Sequence, residues 1–84
     1  MAALTRDGLL GFMKSELGVK ISKINDQTPL FSAGIIDSPM LLQLITFIEG
    51  VTGFRISTGD LSLENFDTVE RMLAYTERRQ AAGK

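Results

Sequence analysis

Met40, Leu41, Leu42, Leu44, Ile45, Phe47 and Ile48 place apolar side chains at all but two positions of one short run, with Gln43 and Thr46 as the exceptions. A helix that faces a core needs a single apolar stripe, and this run exceeds it in a chain of only 84 residues. It is also far too short to cross a bilayer. The segment is therefore predicted to be a helix with apolar surface left over for partners. Directly before it stand Gly34, Ile35, Ile36, Asp37, Ser38 and Pro39. Ser38 suits the N-cap and Pro39 the first helical position, where its missing N–H is harmless. A serine displayed at the mouth of such a helix suggests a place where something is attached and then presented.

The remaining elements follow from spacing and punctuation. Leu4, Leu9, Leu10, Met13 and Leu17 recur with a helical period, with Thr5 as cap and Gly18 as stop. Residues 19–34 read as a long loop with turn chemistry at Asn25-Asp26-Gln27-Thr28-Pro29. Ile21, Ile24, Leu30, Phe31, Ile35 and Ile36 pin it to a core. The second helix is predicted over Pro39 to about Glu49, ending near Gly50. Phe54 and Ile56 alternate with Arg55 and Ser57, as in a short extended piece, and Asp60 to Phe66 has room for one helical turn. Asp67 with Glu70 forms a capping-box pattern ahead of Val69, Met72, Leu73, Tyr75 and Thr76, with Arg78 and Arg79 in the last turn. Ala81 to Lys84 reads as a frayed end. The expected fold is all-α: a small four-helix bundle of three longer helices and one short one, in one domain over residues 1–84 with about 4–79 ordered.

Composition removes whole classes of function. The chain has no cysteine and no histidine, so neither thiolate nor imidazole is available for a metal or for general base work. No catalytic residue and no metal site are expected, and the chain is not expected to be an enzyme. Met1-Ala2-Ala3-Leu4-Thr5-Arg6-Asp7 lacks the charged start and apolar run of a leader, so a cytoplasmic protein without membrane association is expected. The net charge of −1 hides a segregation: residues 1–23 carry +2, residues 24–70 carry −6 and residues 71–84 carry +3. The acidic middle repels nucleic acid, and no basic recognition helix is present to support helix-turn-helix binding to DNA.

The lead-in Leu30-Phe31-Ser32-Ala33-Gly34-Ile35-Ile36-Asp37-Ser38 and the downstream Glu64-Asn65-Phe66-Asp67-Thr68-Val69-Glu70 together resemble the acyl and peptidyl carrier proteins, over essentially the whole chain. The resemblance implies that Ser38 carries a covalent 4′-phosphopantetheine arm, with Asp37 in support by holding the metal or basic surface of the modifying enzyme. It also implies a non-catalytic shuttle whose partners are a phosphopantetheinyl transferase, a loading ligase and a downstream synthase or transferase. The carrier itself is expected to be a monomer. Attachment needs an outside enzyme, because nothing in the chain can activate a serine hydroxyl. The partner-docking surface is expected at Pro39, Met40, Leu42, Gln43, Thr46 and Glu49.

Two departures bear on the cargo. Pro39 stands where the family most often has Leu or Met, and the second helix is only weakly acidic, with Glu49 alone. The latter favours an aminoacyl or short acyl cargo over a fatty-acid or polyketide one. A long chain would also need an apolar pocket among Leu41, Leu44, Ile45, Phe54 and Tyr75. Phe31, Phe47, Phe54, Phe66 and Leu44 are expected to fill the core there. The alternatives are a fatty-acid or polyketide acyl carrier and an unmodified helical interaction domain in which Ser38 is only a cap.

Overall fold

The computed structural model describes residues 3–82; Met1, Ala2, Gly83 and Lys84, on which parts of the leader and frayed-end expectations fall, lie outside the described residues. Four α-helices follow in order: α1 Arg6–Ser15, α2 Ser38–Thr52, α3 Leu63–Phe66 and α4 Val69–Ala82, with single 3-10 turns at Ile21–Lys23 and Thr58–Asp60. There is no strand among the described residues, so Phe54–Ser57 is irregular chain and not a strand. This is the expected all-α bundle of three longer helices and one short one. Among the described residues no helix is long and apolar enough to cross a membrane.

Thr5 caps α1, its hydroxyl accepting the Gly8 N–H at 3.0 Å, and Gly18 turns the chain away in the left-handed region at φ 69°. Leu9 and Met13 of α1 are fully buried in one core cluster with Leu44 and Ile48 of α2 and Val69 and Met72 of α4. Phe12 and Phe47 stack with ring centroids 4.3 Å apart, joining α1 to α2. The long loop is anchored as expected, with Leu30 and Ile36 inside the core. Phe31, Phe47 and Phe54, however, are only half-buried at its margin, so of the five residues expected in the core only Leu44 and Phe66 lie fully inside. Aliphatic side chains with Phe66 and Tyr75 already fill the centre of so small a bundle, and Phe31, Phe47 and Phe54 are left to seal its edges.

The second helix runs past its expected end. Gly50 has open space around its α-carbon and sits in the helix at a modest entropic cost. The stop comes three residues later, at Gly53, whose φ of 85° lets its N–H reach the Glu49 carbonyl at 2.9 Å. At the other chain end α4 continues to Ala82, beyond the Arg79 that was expected to close it.

The capping box before α4 does not form. Thr68 takes the capping task, its hydroxyl accepting the Arg71 N–H at 3.0 Å. Asp67 is buried and reaches across to the loop, accepting the N–H of Phe31 at 2.8 Å, the N–H of Ser32 at 2.9 Å and the Ser32 hydroxyl at 2.7 Å. Its backbone carbonyl accepts the Leu30 N–H as well. Burial alone would raise this carboxyl's pKa. The Ser32 N–H and hydroxyl, the Phe31 N–H and the charge of Arg71 outweigh it, leaving the group below the ordinary aspartate value. The Glu70 carboxylate meanwhile accepts from the Gln27 amide at 3.1 Å. Asp67 thus fixes the segment 30–32, from which the chain turns through Gly34 (φ 77°) into α2.

A second cluster ties α4 to the chain after α2. The Arg79 guanidinium lies 4.4 Å from the Phe54 ring centroid and donates to the Arg55 carbonyl and the Tyr75 hydroxyl. The Tyr75 hydroxyl in turn lies 2.6 Å from an Asp60 carboxylate oxygen. Burial first, and then Asp60, raise the Tyr75 pKa above the ordinary phenol value.

Candidate functional site

The chain enters α2 through Asp37, which is extended at φ −113° and ψ −176° and is itself the N-cap. Its carboxylate accepts the Met40 N–H at 3.0 Å and its carbonyl the Leu41 N–H at 2.8 Å. Ser38 is therefore the first helical residue and Pro39 the second, so the helix begins one residue earlier than the sequence suggests. Aspartate and serine cap about equally well, so sequence alone does not choose between them. Here the choice matters chemically. With Asp37 as cap, the exposed Ser38 hydroxyl makes no hydrogen bond to any described residue. It projects into solvent at the positive end of a 15-residue helix, where a negatively charged substituent is electrostatically favoured. These residues fit a phosphodiester-linked group: the hydroxyl is accessible and uncommitted, and its removal from solvent breaks nothing else.

Along α2 the expected docking residues separate by environment. Pro39, Leu42, Gln43 and Thr46 are exposed, and Leu42 shows 62% of its surface, the largest exposed apolar side chain on the helix. Met40 is half-buried beside Ile35. Glu49 is turned to the structure, its carboxylate accepting the Ile56 N–H at 2.7 Å, so it fixes the chain after α2. Leu63, on α3, is a second exposed apolar side chain that sequence reasoning did not single out. Its isolation in a one-turn helix leaves no periodicity to reveal it.

A cleft of about 270 Å³ opens between α2 and α3, lined by Phe31, Leu41, Leu61, Ser62, Leu63 and Phe66. It is not where a pocket was expected. Of Leu41, Leu44, Ile45, Phe54 and Tyr75, only Leu41 borders it, while Leu44, Ile45 and Tyr75 are packed in the core. The rest of its lining is the marginal Phe31, the short segment 61–63 and Phe66. Among the described residues no group of carboxylates has the arrangement of a metal site.

Comparison with known proteins accords with this geometry. The family model for the phosphopantetheine attachment site matches residues 7–76, which take in all of α2 and α3 and most of α1 and α4. The probable acyl carrier protein PigG of Serratia sp. is 33% identical over 58 residues, covering 69% of this chain and 67% of that protein. No solved structure matches the chain. The cofactor of the matched family is 4′-phosphopantetheine bound covalently to a serine, and its members carry groups for other enzymes, beginning with a phosphopantetheinyl transferase, without catalysing reactions themselves. An all-helical bundle with an uncommitted serine at the start of its central helix belongs, on both the sequence match and the relative, to the phosphopantetheine-binding carrier proteins.

Proposed function

We propose that Ser38 is the serine that bears the arm, and that the protein presents an aminoacyl or short acyl group to partner enzymes. The observation that carries this is the division of labour at the start of α2: Asp37 caps the helix, and the Ser38 hydroxyl is exposed and free. In the modification step, Ser38 Oγ attacks the pantetheine-bearing phosphorus of coenzyme A. The new O–P bond replaces the bond to the nucleotide portion, which leaves, and the hydroxyl proton passes to a base on the transferase. The arm ends in a thiol that holds the cargo as a thioester. Asp37, exposed beside the hydroxyl, supports the metal or basic surface of the transferase. Pro39, Met40, Leu42, Gln43 and Thr46 form the docking face, with Glu49 at its edge, and the large exposed area of Leu42 supports this role.

A small cargo is supported by the packed centre of the bundle and by the size of the α2–α3 cleft, about 270 Å³. The fatty-acyl or polyketide reading is favoured by one observation: the same cleft is almost wholly apolar and open at Leu63. Incubation with coenzyme A, magnesium and a permissive phosphopantetheinyl transferase is expected to add the mass of a single arm. Ser38→Ala is expected to add none, and an arm that persists in that variant, for instance on Ser32, overturns the assignment. Cargo is tested by loading a short aminoacyl group and, separately, a long acyl chain. A large rise in Tm with the long chain alone overturns the small-cargo reading.

A further inference from the structure

The N-terminus of α2 is flanked by two clefts, and only one of them is the apolar cleft toward α3. The other opens on the α1 side, has a volume of about 320 Å³ and is bounded by Met40 and by Ile35. These lie two residues after and three residues before Ser38, so two of the residues that bound the cleft flank Ser38 in the chain. Leu17, Val19 and Ile24 complete an apolar floor, Gly18 adds backbone without a side chain, and Lys20 and Lys23 also line it. The ion pairs among the described residues are Arg6 with Asp26 and Arg79 with Asp60, so neither lysine has a carboxylate partner there.

We propose that this α1-side cleft, and not the α2–α3 cleft, seats the phosphopantetheine arm, with Lys20 and Lys23 supplying the counter-charge for its phosphodiester. The inference rests on the reading that Ser38 bears the arm. Its basis is the match between the chemistry of the arm and that of the two clefts. The arm is amphipathic: a phosphodiester anion, a hydroxyl and two amides accompany one compact dimethyl group. In the α2–α3 cleft the only polar side chain is Ser62, so amides buried there would lose water without gaining partners. The α1-side cleft offers an apolar floor for the dimethyl group beside bare backbone and two ammonium groups. Electrostatics points the same way. A phosphodiester on Ser38 stands next to the Asp37 carboxylate, which repels it. The helix terminus offsets part of that repulsion, and the nearby lysines belong to the positively charged segment 1–23. An arm seated there leaves its thiol end and a short cargo clear of the apolar cleft.

The test compares 1H–15N NMR spectra of apo and holo protein, with an intact mass spectrum of each sample. The proposal expects the largest amide shifts at Gly18–Lys23, Ile35 and Met40, with smaller ones at Leu61–Leu63. In the Lys20→Glu, Lys23→Glu double variant, the mass spectrum is expected to show full modification while most of those shifts disappear. Rising salt is expected to diminish them in the wild-type holo protein, which gives a check that needs no variant. Full modification with shifts centred on Leu61–Leu63, or confined to Asp37–Met40, overturns the seat and leaves the attachment reading standing. A wild-type mass without the arm overturns both.

Discussion

Two helices of this protein begin with an aspartate followed by a hydroxyl residue, and the two pairs do opposite jobs. At Asp37-Ser38 the carboxylate caps α2 and the hydroxyl is left free in solvent. At Asp67-Thr68 the hydroxyl caps α4 and the carboxylate is buried, holding Phe31 and Ser32. What differs is what lies across from each pair. Asp37 is exposed, with no segment opposite it, so its carboxylate finds only its own helix. The corner before α4 faces the loop at 30–32, whose N–H groups have no helix or strand to satisfy them. One pair therefore leaves chemistry available, while the other orders the loop that leads to it.

Substitutions at matched positions sharpen this contrast. Asp67→Ala strands two N–H groups and a hydroxyl in a part-buried corner and is expected to cost about 3 kcal/mol. Asp37→Ala loses only a surface cap, at about 1 kcal/mol. Urea unfolding of both variants measures the difference, and equal losses would break the comparison. The same asymmetry predicts an acid response. Because the folded pKa of Asp67 is depressed, its stabilisation is complete above the unfolded value of about 3.9 and is lost as pH falls through the lower folded value. In Asp67→Asn that part of the decline in Tm below about pH 4 is expected to vanish.

Among the hydroxyls the order reverses in kind. Thr68→Ala is expected to cost about 1 kcal/mol as a lost cap, whereas Ser38→Ala is expected to stay within about 0.5 kcal/mol while abolishing modification. Unfolding curves paired with intact masses check both. Smallest in stability is Leu42→Asp, expected within about 0.5 kcal/mol because the side chain is already in water. It should nevertheless slow loading by a partner enzyme. Unfolding of the domain by this change would show that Leu42 is core and remove the docking face.

Much of the fold was legible because its signals are local. The period of Leu9 and Met13, the caps at Thr5 and Gly18 and the apolar surplus of 40–48 all act within a few residues. The candidate site was legible for the same reason, since Asp37, Ser38 and Pro39 favour a helix start through near-neighbour interactions alone. The register was not. Two adjacent residues that cap equally well leave a boundary undecided by one position. The capping box at Asp67 and Glu70 failed because a pattern in sequence does not reveal a competing partner 35 residues away.

The sequence by itself determined that this chain forms helices around an apolar second helix, that a serine opens that helix, and that no histidine or cysteine is at hand to activate it. Tertiary structure decided which carboxylate is buried, that Glu49 holds Ile56, and that open clefts lie beside Phe31 and beside Lys20. The physical reason is range. Helix formation and capping are settled by near neighbours, whereas burial and the pairing of polar groups depend on which distant segment arrives opposite.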